Sequence, residues 1–177
     1  MDSARPANQI LAATVDQCTL VAVIGAATFK IAPAFKQATQ AARLADSRLI
    51  VVDMAACTSL DSTFMGTLAT LGFAARAPDG TPAVLINVSA HAAGLLKGLG
   101  VNRILKYYSA DTLPAGVGDL SRLVANLHPV EAVPHAPHEM AAFMFDAHET
   151  LTRVEPENLQ RFKDVLDFLR KDMERIE

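Results

Sequence analysis

Leu49-Ile-Val-Val-Asp-Met-Ala-Ala-Cys-Thr-Ser-Leu-Asp-Ser-Thr-Phe-Met-Gly66 is the stretch on which the fold turns: a buried strand, a short loop, then the first turns of a helix. Residues 49–52 are consecutive apolar, largely β-branched side chains, which suits a strand covered on both faces. Asp61, Ser62 and Thr63 are helix-starting residues, because a short side-chain oxygen accepts a hydrogen bond from an otherwise unpaired N–H of the first turn. Met65, Leu68 and Leu71 then recur at helical spacing. The junction therefore sets hydroxyls at the positive end of a helix, where added negative charge is favoured.

Working outward, residues 10–15 and 19–24 are two apolar segments separated by Asp16-Gln17, which predicts a β-hairpin at the edge of a sheet. Gly25 closes the second strand, and Pro33 falls in the first turn of a helix whose face is Phe35, Ala38, Ala42 and Ala45. Past the central junction, Ala77-Pro-Asp-Gly-Thr-Pro82 is a dense turn signal before a strand at 83–88. Strand, helix, strand in that order implies a right-handed crossover and parallel neighbours. Ser89 caps a short helix ended by Gly98-Leu-Gly100, and a last strand is expected at 104–108. The order β-β-α-β-α-β-α-β predicts an α/β fold with a mixed sheet packed against helices.

Residues 60–66, Leu60-Asp-Ser-Thr-Phe-Met-Gly, resemble the signature of the STAS family, the sulfate-transporter and anti-sigma-factor-antagonist domain: an apolar residue, then Asp-Ser-Ser/Thr-Gly-Leu-Gly. The resemblance covers residues 8–110 and extends to the order of elements. It implies a non-enzymatic regulator of the anti-sigma-factor-antagonist type, without cofactor, whose partner is an anti-sigma factor or a serine kinase of the switch-protein type. It implies further that Ser62 is the phosphoacceptor, with Thr63 the second candidate, and that Asp61, Ser62, Thr63, Phe64, Met65 and Gly66 form the partner-binding surface. Phe64 departs from the family pattern, which has glycine there.

Other readings stand beside this one. Asp61-Ser62-Thr63 also reads as a plain helix cap, and Phe64 as an aromatic packed inward. With the same fold the chain could instead be a constitutive scaffold subunit, stressosome-like or transporter-associated, or a nucleotide-binding module. The latter lacks sequence support: there is no Gly-x-x-x-x-Gly-Lys-Ser/Thr loop, no Gly-x-Gly-x-x-Gly after a strand and no Gly-x-Ser-x-Gly elbow. Asp53 and Cys57 could suggest a nucleophile and an acid, but no basic residues are evident nearby to hold a phosphate; Asp53 reads better as a strand end and Cys57 as a buried small residue.

The 177 residues, 51% hydrophobic, are enough for a folded domain with its own core. A formal charge of −3 gives no basic field for nucleic acid, and no apolar run is long enough to cross a bilayer. The N-terminus has no secretory layout, so a cytoplasmic chain with reduced Cys18 and Cys57 is expected. No metal site is expected; His135 and His138 lack a third ligand. Beyond the domain, Pro129, Pro134 and Pro137 punctuate a linker over 111–137, with a modest helix around Leu120, Leu123 and Val124. Residues 138–177 predict a helical hairpin: Met140, Phe143, Met144, Ala147 and Leu151 stripe one helix, and Leu159, Phe162, Val165 or Leu166, Leu169, Met173 and Ile176 the other. This extension either folds back over an apolar face or is a module for homodimerisation or partner docking.

Overall fold

The computed structural model describes residues 7–114 and 117–175; Ile176, the last position of the expected stripe, lies outside them. Strands β1 (Gln9–Val15) and β2 (Cys18–Ala27) form the expected antiparallel hairpin. Its reversal holds both Asp16 (φ 50°) and Gln17 (φ 61°) in the left-handed region. That backbone matches the twist of the paired strands, although neither residue is glycine. Helix α1 (Ala32–Leu44) follows, with Pro33 in its first turn. Strand β3 (Leu49–Asp53) lies parallel to β2, and Ile50, Val51 and Val52 are fully buried.

Between β3 and the next helix the structure has a strand where the sequence suggested a loop. Strand β4 (Cys57–Leu60) runs parallel to the end of β2, pairing Gly25 with Cys57 and Ala27 with Leu60. Its pattern is neither apolar nor alternating, so periodicity does not reveal it; pairing with the unusually long β2 creates it. Helix α2 (Ser62–Arg76) comes next, then β5 (Ala83–Ile86), α3 (Ala90–Gly98), one 3-10 turn (Val101–Arg103) and β6 (Lys106–Tyr107). β6 is shorter than the expected 104–108 strand because the N–H groups of Ile104 and Leu105 turn back to the Val101 carbonyl instead of joining the ladder.

Helix α4 (Ser121–Ala125) and strand β7 (His128–Pro129) lie in the segment expected as linker, and α5 (Pro137–Val154) and α6 (Asn158–Glu174) close the chain. The sheet order is β6-β5-β3-β2-β1-β7, with β4 paired to β2 off this path. β7 pairs antiparallel with β1, so β1 is not the sheet edge expected of it.

Alternation across β3 divides the interior. Ile50 and Val52 join the main core under α1 and α2, with Phe35, Phe64 and Leu68, while Val51 faces a smaller cluster closed by Leu123 of α4. The helical hairpin adds to the main core rather than standing apart: Leu151 is fully buried in it, with Phe143, Val154 and Phe162 packed alongside.

Candidate functional site

The site begins with an aspartate used twice. Asp61 is the N-cap of α2: its Oδ1 accepts from the Phe64 N–H at 2.7 Å, satisfying a first-turn donor. Its Oδ2 accepts from the Phe29 N–H, also at 2.7 Å, across 32 positions of sequence. The Asp61 N–H in turn donates to the Ala27 carbonyl at 3.0 Å. β4 thus delivers Asp61 beside the end of β2, where three hydrogen bonds fix where α2 begins. Both carboxylate oxygens are engaged within the chain.

From that start, successive α2 side chains diverge. Thr63, Phe64, Met65 and Gly66 are buried, whereas Asp61 and Ser62 are partly exposed. Phe64 points inward and meets Phe35 of α1, ring centroids 5.0 Å apart at 51°, a tilted arrangement that aromatic quadrupoles favour. An aromatic stands where the family signature has glycine because its ring belongs to the core between α1 and α2.

A different face of α2 carries Ser62, Gly66 and Phe73, spaced at four and seven residues, and this face meets α5. The Ser62 hydroxyl lies 2.9 Å from Nε2 of His148, which is 2% exposed. Nδ1 of the same ring lies 2.7 Å from the Met144 carbonyl. A carbonyl can only accept, so Nδ1 carries the proton; in the singly protonated ring Nε2 is then the acceptor and Ser62 the donor. The imidazole also packs edge-on to Phe162 of α6, centroids 4.9 Å apart. One turn on, a Cβ at Gly66 would stand 2.6 Å from the Ala147 carbonyl carbon, so only glycine admits the α5 backbone here. Arg153 then lies over the Phe73 ring at 4.9 Å.

His148 is the residue the sequence did not single out. Its place beside Ala147, four residues after Met144, sets it at the margin of the α5 apolar stripe. Its partner, 86 positions earlier, leaves no local signal.

A serine, a histidine and a group orienting that histidine are the parts of an activated nucleophile. Neither Ser62 nor His148 lines any of four cavities of about 270 to 550 Å³ among the described residues. Asp53 accepts from the Ala55 N–H and from the Asn87 side-chain amide, which closes the β3 end. Cys57 and Cys18 are free thiols, both pushed up from the ordinary thiol range by burial. His135 turns its Nδ1 to the Val133 carbonyl and its ring to Phe143. Among the described residues, no three His, Cys, Asp or Glu side chains come together as a metal site, and no helix is long and apolar enough to cross a membrane.

Residues 10–106 match the family described as "Mlab, STAS domain", which is more than half of the chain. The protein belongs to the STAS family. Among solved structures it is similar to an anti-sigma factor antagonist from Mycobacterium paratuberculosis, with 20% identity and a TM-score of 0.50 over 65% of this chain and 92% of that one. It is also similar to the protein TM1081, with 17% identity and a TM-score of 0.50 over 56% of this chain and 80% of that one. At such identities these two likenesses concern the fold. No curated protein matches the chain in sequence.

Proposed function

We propose that the protein is a regulator of the anti-sigma-factor-antagonist type, binding an anti-sigma factor or a switch-type serine kinase through the start of α2, with Ser62 as the phosphoacceptor. In its unmodified state it would bind that partner and release whatever the partner holds. One observation carries this reading: in a STAS fold, Ser62 follows the N-cap aspartate of α2 and is partly exposed, whereas the neighbouring hydroxyl of Thr63 is buried. That favours Ser62 over Thr63 as the acceptor. A phosphate there adds close to two negative charges at the positive end of a helix, enough to remodel a contact without unfolding the domain.

The first experiment is incubation with ATP and native cell extract, followed by intact-mass and fragment mass spectrometry, with Ser62→Ala as control. A phosphate on Ser62 that disappears in the control supports the switch. No phosphate, together with unchanged partner binding by Ser62→Asp and Ser62→Ala, removes it. One feature favours a second reading, a constitutive scaffold subunit: the Ser62 hydroxyl is already bonded to a buried imidazole, and α5 lies across its helix face. A stable stoichiometric assembly, unaffected by either Ser62 substitution, is the outcome that reading expects.

A further inference from the structure

We infer that the α5–α6 hairpin is a displaceable occupant of the α2 face that carries Ser62, so that the chain holds its own regulatory surface closed. The regulatory consequence rests on the reading of Ser62 given above; the opening itself does not.

The contact between α5 and α2 is close: its nearest approach is Gly66 against the Ala147 backbone, and fully buried Leu151, with Phe143 and Val154 packed alongside, is the apolar anchor of α5. At the crossing Ser62 is hydrogen-bonded to His148. Further along, the hairpin is fastened by polar ties. The Asn158 amide donates to the Leu99 carbonyl at 3.0 Å and, within the hairpin, to the Leu151 carbonyl at 2.9 Å; Arg161 donates to the Gly98 carbonyl at 2.7 Å, and Arg103 pairs with Glu155. Asn158 is fully buried, and among the described residues its Oδ1 meets no hydrogen-bond partner.

What the hairpin covers carries the family's own elements: the family match ends at residue 106, before the hairpin begins, and includes α1, α2 and α3. The Val130 N–H still donates to the Ile10 carbonyl of β1 and the Glu131 carbonyl accepts from Gln37; residues 132–136, which lead on into α5, have neither helix nor strand and are mostly exposed, and the hairpin pivots there. Closure matters chemically because the Ser62 Oγ is committed to Nε2. At 2.9 Å no phosphoryl group fits between them, so modification of Ser62 requires His148, and α5 with it, to move. Met65 and Gly66, neighbours in the signature, are likewise reached only through the space α5 occupies or through the core.

The test uses the whole chain and no partner. Hydrogen exchange read by mass spectrometry should show α5 and α6 exchanging as one unit, at least tenfold faster than β2, β3 and β5. In parallel, the thiol of a Ser62→Cys chain is followed by peptide-resolved labelling with N-ethylmaleimide. Adding Ala147→Glu, which sets a carboxylate against α2, should speed labelling at least tenfold while the strands keep their protection; if that variant does not fold, His148→Ala takes its place. Hairpin and strands exchanging at one common rate, or labelling unchanged by either substitution, overturns the inference. If both measurements succeed while Ser62 takes no phosphate in native extract and partner binding is unchanged by Ser62→Asp and Ser62→Ala, the closing device stands and the phosphorylation reading falls.

Discussion

Phe64 shows how one residue can leave its family pattern without leaving the fold. A glycine at this point of the signature leaves the helix start open, whereas Phe64 fills the space between α1 and α2 and is fully buried against Phe35. Phe64→Ala should therefore cost about 3–5 kcal/mol in a denaturant melt, the range for emptying an aromatic site in a core. A loss below about 1 kcal/mol would mean that the ring is not part of the core. Asp61 teaches a related lesson. Its cap was legible from the Asp-Ser-Thr triplet, but its second bond, to the Phe29 N–H, was not, since it depends on β4 pairing with β2. An acid that could have been free for a partner is spent on the junction itself.

At the level of elements, the β1–β2 reversal carries local strain that the sequence could avoid. Asp16 and Gln17 both hold positive φ, which costs a residue with a Cβ about 1–2 kcal/mol. Gln17→Gly should raise stability by about 1 kcal/mol, read as a higher urea midpoint at unchanged slope. The opposite sign is expected at the α2–α5 crossing. Gly66→Ala puts a methyl group into the Ala147 carbonyl, and overpacking of this kind costs about 1–3 kcal/mol when the neighbours must stay in place. If the hairpin lifts instead, the loss is limited to the hairpin's own docking energy. Hydrogen exchange on Gly66→Ala separates the two cases: α5 and α6 lose protection while β2 and β3 keep theirs.

At the level of the whole molecule, a STAS sheet with its helices is joined to a C-terminal hairpin that both completes the core and covers part of α2. Leu151 is fully buried and anchors α5 in that core, while Asn158 ties the α5–α6 corner to the end of α3. Asn158→Ala removes two donors from two buried carbonyls and should destabilise the protein by about 1–3 kcal/mol. The loss should concentrate in hairpin protection rather than in that of the strands, a distinction that native-state hydrogen exchange reads directly. The same hairpin covers Gly66 and holds the Ser62 hydroxyl, and in the closed chain only Asp61 and Ser62 of the run 61–66 are partly exposed.

The sequence by itself determined the sheet, the helices around it, the helical extension and the serine at the head of α2. Each of these is written in local terms: β-branched runs, helical spacing, caps, and turn residues between them. Only the tertiary structure decided that β4 exists, that Asp61 also holds Phe29, that Phe64 points inward and that His148 meets Ser62. Those facts depend on contacts between residues distant in sequence, 32 positions apart for Asp61 and Phe29 and 86 for Ser62 and His148. Periodicity reports which face of an element is apolar; which other element covers that face is settled by the packing of the whole chain.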